Sequence, residues 1–262
     1  MWTPALPSPR PLLAGLLRRT AALARGALDW LVPPACLGCR RPLTEPRTLC
    51  GECWRGLELV TPPICDITGS PLAYDAGPGA RSRELRWNHP LYEKARAATV
   101  FNDMSRRLVH QLKYHDVPGV AALMARLMAP AVRDVTDGAD ILVPMPLHPR
   151  RLAARRFNQA VMIADRLSPL VGVPVARDVV RRVRHTRTQV GLSRDERSDN
   201  LHRAFAVPDP ARIAGKVVVL VDDVLTTGAS ADAVALTLKD AGAAAVRVAV
   251  FARLVPGDRE PA

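Results

Sequence analysis

One segment of this chain, residues 217–230, constrains its fold more than any other. Its first five residues, Val217–Val221, are all aliphatic and lack polar alternation, which is typical of a strand buried on both faces in a helix-covered parallel sheet. Such sheets place their ligands at the carboxyl ends of the strands. We therefore expect Asp222 and Asp223 to lie at a ligand-binding edge, where carboxylates can accept hydrogen bonds from sugar hydroxyls or hold a divalent cation.

The turn after the acidic pair has the composition of an anion site. Gly228 permits a tight turn, and backbone N–H groups there would face a phosphate at the start of a helix predicted over 231–241. The alternative is a buried strand followed by an N-capped helix, with two solvated aspartates. A phosphate-loop NTPase is disfavoured because the chain has no Gly-x-x-x-x-Gly-Lys-Ser/Thr motif.

The same segment resembles the phosphoribosyl-pyrophosphate (PRPP) signature of the type I phosphoribosyltransferases. The resemblance implies transfer of a phosphoribosyl group from PRPP, with Mg²⁺, to a nitrogen nucleophile. It further implies that Asp222 and Asp223 are the catalytic pair and contact the ribose hydroxyls. The residues implied to bind the 5-phosphate are Thr226, Thr227, Gly228, Ala229 and Ser230.

The cysteines form a separate module near the N-terminus, because all five lie between positions 36 and 65. Two Cys-x-x-Cys pairs with ten residues between them match a tetrahedral zinc ribbon, whose ligands would be Cys36, Cys39, Cys50 and Cys53. The zinc would be structural and would replace a core that so small a segment cannot build. A redox dithiol and incidental buried cysteines are the alternatives. Cys65 has no cysteine neighbour and is interpreted as a small buried residue.

A cysteine ribbon ahead of a phosphoribosyltransferase-like domain resembles the bacterial ComF family. The resemblance implies a second class of function, an accessory protein of DNA uptake in natural transformation that binds single-stranded DNA or a helicase-like partner. Many members have a third Cys-x-x-Cys pair, at whose second position this chain has Thr68. This departure argues against a second metal site.

The composition supports a folded protein but is a weak guide to its partners. The net charge is +12 and the pI is near 10.5, which would normally suggest a polyanionic ligand. Arginine accounts for nearly all of the 37 basic residues, as expected of a GC-rich genome, and this bias raises the pI without selection for such a ligand. Aromatic residues make up only 4% of the chain, which disfavours an extensive base-stacking platform.

The rest of the chain alternates strand-like and helix-like runs, which predicts an α/β fold with a mainly parallel sheet flanked by helices. The predicted strands are 96–101 and 141–143, and the predicted helices are 104–114, 119–132 and 158–167. We expect three parts: an amphipathic helical segment over 1–31, a zinc-ribbon module over 32–75, and the phosphoribosyltransferase-like domain over 90–255.

Further site candidates lie in the loops. The resemblance implies that Arg150 and Arg151 bind pyrophosphate, and arginines suit that role because they donate several charge-assisted hydrogen bonds. A solvated basic loop is the alternative. Family-like blocks add four candidates for the loop that closes over the ligand, namely Asn158, Gln159, Gln189 and Arg197. Asn158 could instead cap the helix that follows it, and the other segment could be a plain surface loop.

The N-terminal segment bears on the compartment. Leucines recur between residues 11 and 30 at roughly helical spacing, but arginines interrupt them, so the segment is too short and too charged to span a bilayer. It also lacks a convincing signal-peptide pattern. Together with the odd number of cysteines, these features predict a cytoplasmic protein without a transmembrane segment, and loose association with a membrane surface is the alternative.

Overall fold

A computed structural model of the protein describes residues 34–86, 89–114, 118–147, 157–183 and 204–255. The predicted N-terminal helix lies outside these ranges. The chain divides into two compact units, Met1–Cys50 and Gly51–Ala262. The division therefore falls inside the second cysteine pair, between Cys50 and Cys53.

A four-stranded parallel sheet forms the centre of the second unit. Its strand order is β1-β6-β5-β2, and its members are β1 (Lys94–Val100), β2 (Ile141–Pro144), β5 (Val217–Leu225) and β6 (Ala245–Arg253). Two short strands, β3 (Arg181–Arg182) and β4 (Phe205–Ala206), form a separate antiparallel pair. The predicted α/β class with a parallel sheet is confirmed.

The described residues form six α-helices, and several of them flank this sheet. They are α1 (Gly51–Arg55), α2 (Asp103–Tyr114), α3 (Pro118–Ala131), α4 (Arg133–Thr136), α5 (Gln159–Val171) and α6 (Ala229–Asp240). Helices α3 and α5 pack against each other and against the sheet, and α6 packs on β5 and β6. No helix among the described residues is long and apolar enough to cross a membrane.

Local capping explains where two of the helices begin and end. Asn102 starts α2, because its Oδ1 accepts hydrogen bonds from the N–H groups of Met104 and Ser105 at 3.1 Å. Gly172 ends α5 in the left-handed conformation, with φ of 74°. Helix α5 therefore runs to Val171, beyond the predicted end at residue 167.

The core lies on both faces of β5. Residues 218–221 are fully buried, and successive side chains of a strand point to opposite faces. Both faces of the sheet are therefore covered at this strand. The uninterrupted aliphatic run of the sequence has the physical cause that was expected, since neither face offers a solvated position for a polar side chain.

The segment 64–71 is fixed tightly to β1. The N–H of Ala95 donates to the carbonyl of Ile67 at 2.7 Å, and Gly69 has a φ of 69°. A Cβ at Gly69 would lie 2.5 Å from the carbonyl oxygen of Ala95. Glycine is therefore required here both by the backbone conformation and by the close approach to β1.

The variant Gly69→Ala tests this packing. We expect it to lower the free energy of unfolding by about 2–4 kcal/mol, because the left-handed conformation costs roughly 1–2 kcal/mol and the overlap with β1 adds to it. Gly138→Ala is the matched control, since Gly138 has a φ of 66° but no atom within 4 Å of an added Cβ. Urea unfolding measures both, and equal losses would contradict the packing of Gly69 on β1.

Candidate functional site

The acidic pair lies inside β5 rather than at its end. Asp222 pairs with Val250 of β6, and the pairing continues through Val224 to Leu225. The sequence placed the pair at the strand's end, and the structure corrects this because β6 is long enough to pair with the residues beyond it. Adjacent strand residues ordinarily point to opposite faces, but the carboxyl groups of Asp222 and Asp223 lie close enough to interact through their charges and through a side-chain hydrogen bond.

The two carboxylates differ in environment. Asp223 is buried, whereas Asp222 is half-buried. Asp222 accepts a hydrogen bond from the backbone N–H of Asp223 at 2.8 Å. Burial and the neighbouring charge of Asp223 nevertheless raise the pKa of Asp222 well above the usual carboxyl range.

Lys113, near the end of α2, completes the charged cluster. Its Nζ lies 2.8 Å from Oδ2 of Asp223, and its side chain is 24% exposed. The buried carboxylate of Asp223 thus has a counter-ion from a different element. Sequence reasoning missed this residue, although one signal was available: Lys113 is a rare lysine in a chain whose basic residues are almost all arginine.

The predicted phosphate turn follows β5 directly. Thr226 and Thr227 are exposed, and Gly228 takes a φ of 80° as the residue before α6. Helix α6 begins at Ala229, two residues before the predicted start, so Ala229 and Ser230 form its first turn instead of belonging to the loop. The free N–H groups of a helical first turn and the helix dipole both favour an anion at this point.

The carboxyl group of Asp232 also lies near this turn and was not predicted from the sequence. Asp232, in the first turns of α6, accepts a hydrogen bond from the N–H of Leu91 at 2.7 Å. Burial raises the pKa of Asp232 to about 6, against the opposing effect of that hydrogen bond. Its Oδ2 would lie 3.8 Å from a Cβ at Gly228, as would the hydroxyl of Tyr92. Asp232 therefore places a carboxyl group with a raised pKa beside the turn.

The strand β2 brings a second chain segment beside the acidic pair. The N–H of Met145 donates to the carbonyl of Val221 at 2.8 Å, directly before Asp222. Asn158 then binds this stretch, because its Nδ2 donates to the carbonyl of Met145 at 3.0 Å while its Oδ1 accepts from the N–H of Ala160. Asn158 is thus the cap of α5, the structural role weighed for it.

The remaining loop candidates divide into two groups. Gln159 is buried, and its Oε1 has no hydrogen-bond partner among the described residues. Four candidates fall outside the described residues, namely Arg150, Arg151, Gln189 and Arg197. Their roles in binding pyrophosphate or closing over the ligand stay predictions.

The four cysteines predicted to bind zinc come together. The sulfur atoms of Cys36, Cys39, Cys50 and Cys53 all lie within 4.8 Å of one another. The Sγ atoms of Cys39 and Cys50 are 3.7 Å apart, close to the separation of about 3.8 Å that Zn–S bonds of about 2.3 Å give at a tetrahedral ion. The donor set and its spacing therefore fit a structural zinc ion.

Hydrogen bonds prepare Cys36 for a metal. Its Sγ accepts from the N–H groups of Gly38 at 3.3 Å and of Cys50 at 3.2 Å. Burial opposes ionisation of this thiol, but backbone hydrogen bonds from Cys39, Cys50 and Gly38 outweigh it and lower the pKa of Cys36 to about 6. A thiolate is the form that coordinates zinc.

The environments of the two aspartates predict opposite effects of neutral substitution on stability. A carboxyl whose folded-state pKa is raised loses stability as the pH rises above the ordinary carboxyl range, because the folded protein must then release a proton it holds more tightly than the unfolded chain does. Asp222→Asn should therefore raise the melting temperature at pH 7, with a gain that shrinks as the pH approaches 4. Thermal unfolding at both pH values measures this.

Asp223→Asn is the matched comparison. It leaves Lys113 without its partner, and we expect a loss of about 1–3 kcal/mol, less than for a fully buried pair because Lys113 is partly exposed. Equal effects of the two substitutions would contradict the asymmetry of the pair.

Comparison with known protein families agrees with both modules. Residues 27–82 match the double zinc ribbon domain, and residues 154–261 match the phosphoribosyl transferase domain. The double ribbon family implies two metal sites, whereas the described residues bring together the ligands of one. The family match and the cysteine cluster together support a structural zinc.

Several characterised proteins are similar to the whole of this arrangement. The "DNA utilization protein YhgH" of Salmonella typhimurium is 32% identical over 83% of this chain and 96% of its own length. The "Competence protein F" of Haemophilus influenzae is 29% identical with the same coverage. The "Competence protein ComFC" of Bacillus subtilis is 26% identical over 75% of this chain and 80% of its own. The chain belongs to the ComF family, in which a cysteine zinc ribbon precedes a phosphoribosyltransferase-type domain.

Proposed function

We propose that this protein binds PRPP, or a related ribose 5-phosphate ligand, together with Mg²⁺ at the carboxyl end of β5. One observation carries the proposal: an acidic pair in the last four residues of a buried strand is followed by a glycine turn and the N-terminus of α6. The match of residues 154–261 to the phosphoribosyl transferase domain supports the proposal. The absence of disulfides among the described cysteines is consistent with action in the cytoplasm.

Each part of the proposed ligand would have a complementary group in the site. The ribose hydroxyls would donate to the carboxylates of Asp222 and Asp223, which lie in the last four residues of β5. The 5-phosphate would bind the N–H groups of Thr227 to Ser230, where the helix dipole favours an anion. Lys113 already neutralises Asp223, so the ribose must share this carboxylate with the lysine.

Transfer of the phosphoribosyl group is the reaction that this binding would serve. The lone pair of a nitrogen nucleophile would attack C1 of the ribose, the bond from C1 to pyrophosphate would break, and pyrophosphate would leave with the electron pair. Mg²⁺ bound with PRPP would neutralise the charge of the leaving group. The chain's own part would be to orient the ribose and stabilise positive charge near C1 through Asp222 and Asp223.

The double variant Asp222→Asn/Asp223→Asn tests the ligand. We expect PRPP affinity in Mg²⁺ to fall at least about 100-fold, since each hydrogen bond to a charged group contributes about 1.5–3 kcal/mol. The control Asp103→Asn/Asp240→Asn removes the same charge at two exposed positions and should leave affinity unchanged. Isothermal calorimetry provides the measurement, and unchanged affinity in the acidic-pair variant would overturn the assignment.

The relatives' names favour a second candidate, an accessory role in DNA uptake. Proteins named for competence and for DNA utilization are similar to nearly the whole chain. Under this alternative the protein would bind single-stranded DNA or a helicase-like partner while retaining the fold of the transferase domain. The net charge of +12 is compatible with a polyanionic ligand.

DNA binding and PRPP binding predict different responses. Affinity for a single-stranded oligonucleotide should fall steeply between 50 and 200 mM salt, as expected for counterion release, and should survive the acidic-pair substitutions. PRPP binding should require Mg²⁺ and fail with them. Fluorescence anisotropy with a labelled oligonucleotide, run on both double variants, separates the two. PRPP binding without pyrophosphate release across a panel of bases and amines would favour the accessory role.

A further inference from the structure

The chain contains a second copy of its cysteine knuckle. A shift of 29 positions places residues 34–43 on residues 63–72 and aligns Pro34 with Pro63, Cys36 with Cys65, and the Pro42-Leu43 pair with Pro71-Leu72. This correspondence lies within the stretch that matches a double zinc ribbon. The question it raises is whether the second copy also holds a metal.

The backbones of the two copies form the same hydrogen bonds. In the first, Cys36 N–H donates to Arg41 at 2.8 Å and Arg40 N–H donates to Cys36 at 3.0 Å. In the second, Cys65 donates to Ser70 at 2.7 Å and Gly69 donates to Cys65 at 2.9 Å.

Further pairings extend the match to the flanks of each knuckle. The isolated bridge between Ala35 and Pro42 recurs between Ile64 and Pro71. The residue after the second ligand position takes a left-handed conformation in both copies, with φ of 67° at Arg40 and 69° at Gly69. The knuckle geometry has therefore been kept from one copy to the other.

The metal ligands have not been kept. The same shift takes Cys36 and Cys39 to Cys65 and Thr68. The backbone indicates a shift of 32 for the second pair of ligands, because the N–H of Leu37 donates to Thr48 in the first copy and the N–H of Asp66 donates to Ala80 in the second. This shift takes Cys50 and Cys53 to Ser82 and Leu85. One thiol survives, leucine offers no donor atom, and neutral hydroxyls are poor zinc ligands compared with thiolate or imidazole. The donor set of the second copy does not fit a zinc ion.

Hydrogen bonds between the former ligand positions take the metal's place. The Thr68 hydroxyl lies 3.1 Å from Oγ of Ser70 and 3.4 Å from Oγ of Ser82, and the Thr68 N–H donates to Sγ of Cys65 at 3.4 Å. Burial of Cys65 opposes ionisation, but hydrogen bonds from Thr68 and Ser82 outweigh it and lower the pKa of the thiol. Side chains that would have met through a metal now meet directly.

Two buried arginines from the sheet add a second attachment. Arg96 on β1 donates to the carbonyl of Asp66 at 2.9 Å, and Arg253 on β6 donates to the carbonyl of Thr68. Arg96 also pairs with the carboxylate of Asp134 at 2.6 Å, and Lys94 pairs with that of Asp66 at 3.0 Å. The second knuckle is thus anchored to the sheet by charge-assisted hydrogen bonds that need no ion.

We propose that this protein binds a single zinc ion, at the first knuckle, and that the second knuckle is a metal-free copy held by its hydroxyl network and by Arg96 and Arg253. The two knuckles should therefore differ in their dependence on zinc. Chelation of zinc should unfold the first knuckle and leave the second intact, so that only the segment before Cys53 depends on metal.

The test is the zinc content of the purified full chain under reducing conditions, measured by plasma mass spectrometry after growth with added zinc. We expect one zinc per chain for the natural sequence and for Cys65→Ser, and less than one for Cys39→Ser. Two zinc ions in the natural chain, or a loss of zinc in Cys65→Ser, would overturn the proposal.

Cysteines placed at the ligand positions of the second knuckle test whether its backbone can hold a metal. We expect Thr68→Cys/Ser82→Cys, and the same variant with Leu85→Cys, to take up a second zinc, because three or four thiols then occupy the ligand positions. The control Thr68→Cys alone supplies only two and should stay at one zinc. Leu85 is buried, so the double variant keeps the test valid if the triple variant destabilises the fold. One zinc in both, with far-ultraviolet dichroism unchanged, would overturn the claim of a metal-ready backbone.

Discussion

The insertion of a carboxylate pair into a buried strand is the constraint on which the site depends. β5 pairs with parallel strands on both sides along its aliphatic half, and with β6 alone once Asp222 is reached. Burial penalises ionised carboxylates, so these two side chains need partners of opposite charge or donors of hydrogen bonds. Asp223 finds Lys113 and Asp222 finds a backbone N–H. A ligand rich in hydroxyl donors would complete this set, which gives the pair a physical reason to bind a sugar.

Under the proposal, the same strand also fixes where the phosphate would bind. The pairing of β5 with β6 ends at Leu225, the chain turns at Gly228, and α6 begins at once. The positive end of the helix dipole therefore lies a short turn away from two carboxylates. This arrangement suits a phosphorylated sugar, because the phosphate needs a positively charged partner and the neutral hydroxyls need acceptors such as the carboxylates. The four sulfur atoms of the zinc ribbon lie together within a different and short stretch of the chain.

Features that depend on local sequence were predictable, and features that depend on long-range pairing were not. The aliphatic run of β5, the paired cysteines and the glycine turn all carry their signal within a few residues. The continuation of β5 to Leu225 depends on the length of β6, and the ion pair between Lys113 and Asp223 joins residues from distant parts of the chain. The extension of α5 past residue 167 was missed because Pro169, normally a helix breaker, lies inside it. The sequence showed that the second knuckle lacks a cysteine at Thr68, but the repetition of the first knuckle's backbone depends on hydrogen bonds that the sequence alone does not reveal.

A crystal structure of the protein with PRPP and Mg²⁺ is the most direct test of the central claim, that the end of β5 is a ribose-phosphate pocket. The account predicts the 5-phosphate within about 3.2 Å of backbone N–H groups between Thr227 and Ser230, and ribose hydroxyls at the same distance from Asp222 or Asp223. A phosphate bound away from the N-terminus of α6, or no ordered ligand there at saturating PRPP, would contradict it.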